Sequence, residues 1–169
     1  PGHFLFIDGV DRVTIWLDRP VSESEMDALR DHCTDLKVIP GQPKFQANRK
    51  CKLELFQPTR KCLRLLRQIF GAEINADLTY VELARDVILP KRARMALRAA
   101  FLQAAKVPHQ RALFVQYEGT YYCGRRAGND ARDGSVLVLY TDHPSKLNNA
   151  RPAADALKCF HVELRLSGK

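Results

Sequence analysis

Long apolar runs are missing from this chain. Nothing in it approaches the roughly 20 consecutive apolar residues of a membrane span, and the stretch from Pro1 to Phe6 is too short for a signal peptide. Together these predict a soluble, cytoplasmic protein. Patterned cysteine is missing too. Cys33, Cys51, Cys62, Cys123 and Cys159 form no CxxC pair and leave one thiol over in any disulfide scheme, which argues against structural zinc and against an oxidised framework. Acidic charge is in deficit, with 19 Asp and Glu against 27 Lys and Arg, for a formal net charge of +8.

The basic surplus is clustered. Arg60, Lys61, Arg64 and Arg67 fall in one predicted helix, Lys91, Arg92, Arg94 and Arg98 in another, and Arg125, Arg126 and Arg132 in a predicted loop. Such clusters attract polyphosphate, although solvated helix faces give the same pattern. At 169 residues and 46% hydrophobic, the chain can bury one substantial core, so one compact domain over 1–169 is expected.

Periodicity predicts the elements. Val13, Ile15 and Leu17 alternate with Arg12, Thr14 and Trp16 in a strand from Val10. Ser22 with Glu25 three positions on is a capping-box start for a helix carrying Met26, Leu29 and Cys33. The segment from Leu36 to Lys50 reads as short extended pieces. A strand resumes at Cys51 with Leu53 and Leu55 inward and Lys52 and Glu54 outward, and Pro58-Thr59 opens a helix bearing Cys62, Leu65, Leu66 and Ile69 that stops at Gly71. A strand from Leu78 to Leu89 leads through Pro90 into a helix from Lys91 to Lys106, packed through Met95 and Leu102. Three strands follow, Ala112 to Tyr117, Thr120 to Arg126 and Ser135 to Thr141, with Glu118-Gly119 a tight hairpin. After a polar connection from Asn148 to Ala156 comes a last strand, Lys158 to Leu166. This is an α+β fold: a central antiparallel sheet with helices on one face. The order suggests duplicated strand-helix-strand-strand units resembling RNA-recognition modules, at about 10–71 and 76–168.

A sheet covered by helices on one side shows its other face to solvent, and alternation predicts what it displays. Arg12, Thr14 and Trp16, then Lys52 and Glu54, then Tyr80, Glu82 and Asp86, then Tyr122 and Arg126, then His161, Glu163 and Arg165 share outward parity. Aromatic and basic groups suit single-stranded nucleic acid. This gives Arg12, Trp16, Lys52, Tyr80, Lys91, Arg92, Arg94, Arg98, Arg125 and Arg165 as candidate contacts. Carboxylates do not suit a polyanion unless they hold arginines or a divalent cation. His161 and Glu163, two residues apart on one strand face and so about 7 Å apart, therefore form a candidate metal site with Glu82 and Asp86. Its oxygen-rich set favours Mg²⁺ or Mn²⁺. Pairing of Arg126 and Arg165 with these carboxylates would serve instead of a metal.

Four stretches in order resemble a known family. Tyr122-Cys123-Gly124-Arg125-Arg126 is similar to the Tyr-x-Gly-x-Arg strand of the initiators that drive rolling-circle replication of plasmids and filamentous phages, a group that includes some conjugative relaxases. Val138 to Lys146 resembles the next strand, Cys159 to Leu166 the closing strand with Val-Glu-x-Arg, and Val81 to Asp86 the opening strand that ends in aspartate. The resemblance implies an HUH-like endonuclease, in which a divalent cation held by histidine and carboxylate polarises a scissile phosphate and a tyrosine attacks it. Tyr122 is the first candidate nucleophile. Tyr140 is the second, brought to the same face by a one-residue bulge, with Arg126 and Lys146 as further catalytic candidates. His161-Val162-Glu163 departs from the family's His-hydrophobic-His. The reading is a site-specific single-strand DNA endonuclease and ligase acting on single-stranded or hairpin DNA at a replication origin. The alternatives are a non-catalytic single-strand-binding module and a structural protein docking on an acidic partner.

Overall fold

The computed structural model describes residues 5–41, 49–72, 76–89, 91–105, 114–123, 134–145 and 158–167. The first strand, β1 (Leu5–Leu17), starts earlier than its alternating core suggests. It is followed by α1 (Glu23–Arg30), β2 (Asp35–Pro40), β3 (Cys51–Phe56), α2 (Arg60–Phe70), β4 (Asp77–Ile88), α3 (Lys91–Ala104), β5 (Phe114–Tyr117), β6 (Thr120–Cys123), β7 (Gly134–Pro144) and β8 (Lys158–Ser167). The fold is α+β. Its eight strands form an antiparallel sheet in the order β2-β3-β1-β4-β8-β7-β6-β5. Among the described residues, no helix is long and apolar enough to cross a membrane. The chain divides into two compact units: one of residues 9–81, the other of residues 1–8 with 82–167.

In the first of these units, β1 pairs antiparallel with β3, and β3 with β2. The inward residues Val13, Ile15, Leu17, Cys51, Leu53 and Leu55 are buried against Leu29 of α1 and Cys62, Leu66 and Phe70 of α2. Local signals set the helix ends. Ser22 caps α1, accepting from the Glu25 amide at 3.3 Å while its own amide donates to Glu25 Oε2 at 2.8 Å. Thr59 caps α2 through the Cys62 amide at 3.1 Å, and Gly71 closes it by donating to the Arg67 carbonyl at 2.9 Å. All five cysteines are free thiols. Glu54, expected to face solvent, is buried, because Arg12 at 2.6 Å and Lys52 at 2.5 Å supply the charge its burial demands.

The other unit packs Val87, Leu89, Leu139 and Phe160 beneath Ala93, Leu97, Phe101 and Leu102 of α3. Met95, expected in this packing, is exposed, and the helix turns Leu97 and Phe101 inward instead. Arg94, expected on a solvated basic face, is buried at 6% exposure and donates to the Leu89 carbonyl at 2.6 Å, closing the end of β4. The β5–β6 hairpin turns at Glu118 and Gly119, both with positive φ (47° and 78°), the geometry whose twist matches a two-residue hairpin. The expected connection from Asn148 to Ala156 lies outside the described residues.

Glu25 supplies a pH test of the α1 start. Its hydrogen bonds from Arg19 lower its pKa from the usual 4.5 to about 2, with the Ser22 bonds adding to this and burial opposing it. A carboxylate depressed in the folded state contributes stability above its unfolded pKa and loses it as pH falls through the folded value. Glu25→Gln is expected to cost about 1 kcal/mol at neutral pH. The gap from wild type should close between pH 4.5 and about 2, as read by thermal melts across that range.

Candidate functional site

The alternation of β8 divides its side chains cleanly. Phe160 and Val162 join the core under α3, and Cys159, His161 and Glu163 leave from the opposite face. Register then determines who meets whom. Tyr140 of β7 lies opposite His161, Val138 opposite Glu163 and Val136 opposite Arg165, while Tyr122 of β6 lies opposite Val138. Directly opposed residues of an antiparallel pair share a face, so Tyr122, Tyr140, His161 and Glu163 all project from the side away from α3. Tyr140 needs no bulge to get there. The register shift in β7 falls beyond it, between Thr141 and His143.

On this face a chain of polar contacts runs from β4 to the end of β8. Ser145 donates to Asp86 Oδ2, and Asp86 Oδ1 meets His161 Nδ1 at 2.5 Å. His161 Nε2 meets Glu163 Oε2 at 3.2 Å. Arg165 Nε donates to Glu163 Oε1 and lies 3.5 Å from Glu82 Oε1. The Tyr140 ring stacks on the imidazole at 4.2 Å between centroids and 18° between planes. Glu82 and Asp86 thus share the strand beside β8, as the parity argument requires. Their exposure was misjudged: His161 and Glu163 are 1% exposed, Asp86 0% and Glu82 7%. Parity tells which way a side chain leaves a sheet; it does not tell what covers that side.

Burial on this scale sets the protonation states. It opposes charge on His161, but hydrogen bonds with Asp86 and Glu163 outweigh it and raise the imidazole pKa. Burial likewise opposes ionisation of Asp86 and Glu163. His161 and Ser145 overcome it for the first, His161 and Arg165 for the second, so both carboxyls titrate below their usual range. Glu82, Asp86, Glu163 and Arg165 carry a formal sum of two negative charges when His161 is neutral. One imidazolium offsets half of this deficit and one divalent cation all of it.

Candidate donors for such a cation lie together on this face. Asp86, Cys159 and His161 each offer a ligand atom within 4.8 Å of the others, and Glu163 lies at the second imidazole nitrogen. Burial first, and then the charge of Asp86, pushes the Cys159 thiol far up; the carboxylate and imidazole donors beside it suit a hard ion. Glu163 and His161 Nε2 would hold the metal, and Asp86 on Nδ1 would fix the ring as an outer partner.

The other sequence candidates scatter. Arg12 is half-buried, bonded to Glu54 and lying over Phe56 and Tyr80 at 5.2 and 5.5 Å. Trp16 and Lys52 are cross-strand partners, both half-buried, and Lys52 also binds Glu54. Arg92 is exposed, and Arg98 lies over Tyr121 at 5.4 Å. Lys91 opens α3. Arg125, Arg126 and Lys146 lie outside the described residues. The sequence reading gave Ser145 no role, since nothing local marks it as a partner of Asp86, 59 positions away, and left Cys159 out of the site.

No family model matches the chain, and no curated protein matches it. Among solved structures it is similar to a rolling circle replication initiator protein from Geobacillus stearothermophilus. The match has 11% identity and a TM-score of 0.43, and covers 96% of this chain and 74% of that one.

The cluster predicts opposite pH trends with and without metal. A raised imidazole pKa gives stability that is complete below the ordinary value of 6.5 and is lost as pH rises through the folded value. In EDTA the melting temperature should therefore fall above that point. Mn²⁺ should restore it most strongly there, since a neutral imidazole is the better ligand; at 100 times the dissociation constant the gain is about 2.7 kcal/mol. A Mn²⁺ effect that is absent at every pH, or unchanged in Glu163→Gln, would refute the assignment.

Proposed function

We propose that this chain is a site-specific, metal-dependent single-strand DNA endonuclease that nicks and rejoins a replication origin through a phosphotyrosine. The observation that supports it best is the Asp86–His161–Glu163 cluster with two tyrosines on the same sheet face. A divalent cation held there would polarise the scissile phosphate and neutralise charge accumulating on it.

The chain's own groups would do the rest. Tyr122 is half-buried, and strand spacing puts its backbone roughly 10 Å from that of Glu163, so a phosphate between them lies within reach of its phenol. Its oxygen bonds to phosphorus as the phenolic proton leaves. The bond to the 3′-oxygen breaks, and that oxygen takes up a proton to become a free 3′-OH, while the 5′-phosphate stays on the tyrosine. Rejoining is the reverse attack by the 3′-OH. Tyr140, stacked flat on His161 and 8% exposed, suits a positioning role, holding the imidazole plane toward Glu163. Asp86 holds the same ring at its other nitrogen.

A second reading, a non-catalytic single-strand-binding module, is favoured by one observation. Arg12 lies over Phe56 and Tyr80 on the face of its unit away from α1 and α2, a pairing of ring and cation that suits base stacking.

Incubation of wild type with Mn²⁺ and single-stranded origin oligonucleotides should give a denaturation-resistant adduct that maps to the Tyr122 peptide. Tyr122→Phe should abolish it with DNA binding nearly intact, and Asp86→Asn should weaken metal affinity about 10- to 100-fold. An adduct on Tyr140 would keep the reaction and exchange the two tyrosine roles. Binding without any adduct would favour the second reading.

A further inference from the structure

The face of α2 that points away from the core carries Arg60, Lys61, Arg64 and Arg67, all exposed, and the helix contains no acidic residue. None of the four has a carboxylate within ion-pair distance among the described residues. In the same unit, Arg12 and Lys52 are held by Glu54, Arg19 by Glu25, Arg30 by Asp27, Lys37 by Asp35 and Arg49 by Asp77. The acids of the neighbouring α1 are thus largely taken by arginines outside α2. Six other cations of this unit are paired with acids, whereas the four of α2 are left open among the described residues.

Their placement runs against helix stability. The positive end of a helix favours acids, as α1 shows with Glu23 and Glu25 in its first turn, yet α2 begins with Arg60 and Lys61. A local rule broken at an exposed position, with no compensating contact, marks a surface kept for a partner. The partner must be a polyanion. Arg60, Arg64 and Arg67 span about 10 Å along one flank at 1.5 Å per residue, or about three phosphates at 3.4 Å each along a duplex axis. The exposed side of α2 itself carries no ring for a base to stack on, since Phe70, the one aromatic of α2, is buried at 3% exposure. Single strands are gripped by stacking platforms as well as charge. A rigid cationic row without rings suits the fixed backbone of a duplex.

We propose that α2 is a sequence-independent docking surface for the phosphate backbone of double-stranded DNA, made by Arg60, Lys61, Arg64 and Arg67. It needs neither a metal nor a tyrosine, and so stands or falls separately from the nicking reaction.

The test uses the 169-residue chain in EDTA with a blunt duplex lacking any origin sequence and a single strand of equal length, titrated by fluorescence anisotropy over a range of salt. The probe variant carries Arg60→Gln, Lys61→Gln, Arg64→Gln and Arg67→Gln together. Its duplex affinity should fall about a hundredfold, and its log–log salt slope should shrink by about 0.9 for each contact removed. Single-strand affinity should change much less. Its melting temperature should equal or exceed that of wild type, because two cations leave the positive end of the helix. Arg64→Gln with Arg67→Gln alone should give about half the loss in slope, a second check that does not disturb the first turn. Unchanged duplex affinity and slope in both variants would overturn the proposal, as would equal losses on duplex and single strand, which would make α2 part of a diffuse positive field.

Discussion

Two carboxylates, Asp86 from β4 and Glu163 from β8, close on the two ring nitrogens of a histidine that water does not reach. Such an arrangement has few stable states. With His161 neutral, the carboxylates of Glu82, Asp86 and Glu163 outnumber the guanidinium of Arg165, and the desolvation of each anion costs several kcal/mol. The ring must therefore hold a proton or share a cation, and the surrounding structure serves that need. Tyr140 fixes the plane of the ring, Ser145 satisfies the outer oxygen of Asp86, and Arg165 spans Glu163 and Glu82. Removing any one member leaves another buried group with an unmet charge or hydrogen bond.

The two units handle buried charge differently. In the unit of residues 9–81, Glu54 is satisfied by two cations whose side chains still touch solvent, at 30% and 27% exposure. That pairing is complete within itself and adds little beyond allowing the sheet to bury a carboxylate. In the other unit the network includes an imidazole whose partners raise its pKa above the ordinary value. The first is a closed structural device; the second contains a group that loses its charge as pH rises.

Much of this was legible in the residues. The capping box at Ser22, the Thr59 start and the Gly71 end of α2, the Glu118-Gly119 turn and the two faces of β8 are local signals, each encoded within a few positions. What escaped was whatever depends on a distant partner. Tyr140 was expected to need a bulge because parity inside one strand says nothing of its register with the next; pairing with β8 sets that register. Arg94 was counted among surface cations because helical spacing cannot show that the Leu89 carbonyl waits below it. Asp86 and His161, 75 positions apart, were grouped correctly by parity, yet their burial was not foreseen, since an alternating strand reads the same whether its polar face meets water or protein.

The two-sided character of β8 also limits how the gene can change. Phe160 and Val162 fill the core under α3 while Cys159, His161 and Glu163 serve the opposite face. Because side chains alternate with a period of two, inserting or deleting one codon between Cys159 and Glu163 would exchange the faces of every residue beyond it. Charged groups would enter the oily layer and the cluster of Asp86, His161 and Glu163 would be dismantled in the same event. A point substitution disturbs one face of this strand; a change of length disturbs both, and reading-frame-preserving indels should be purged from it.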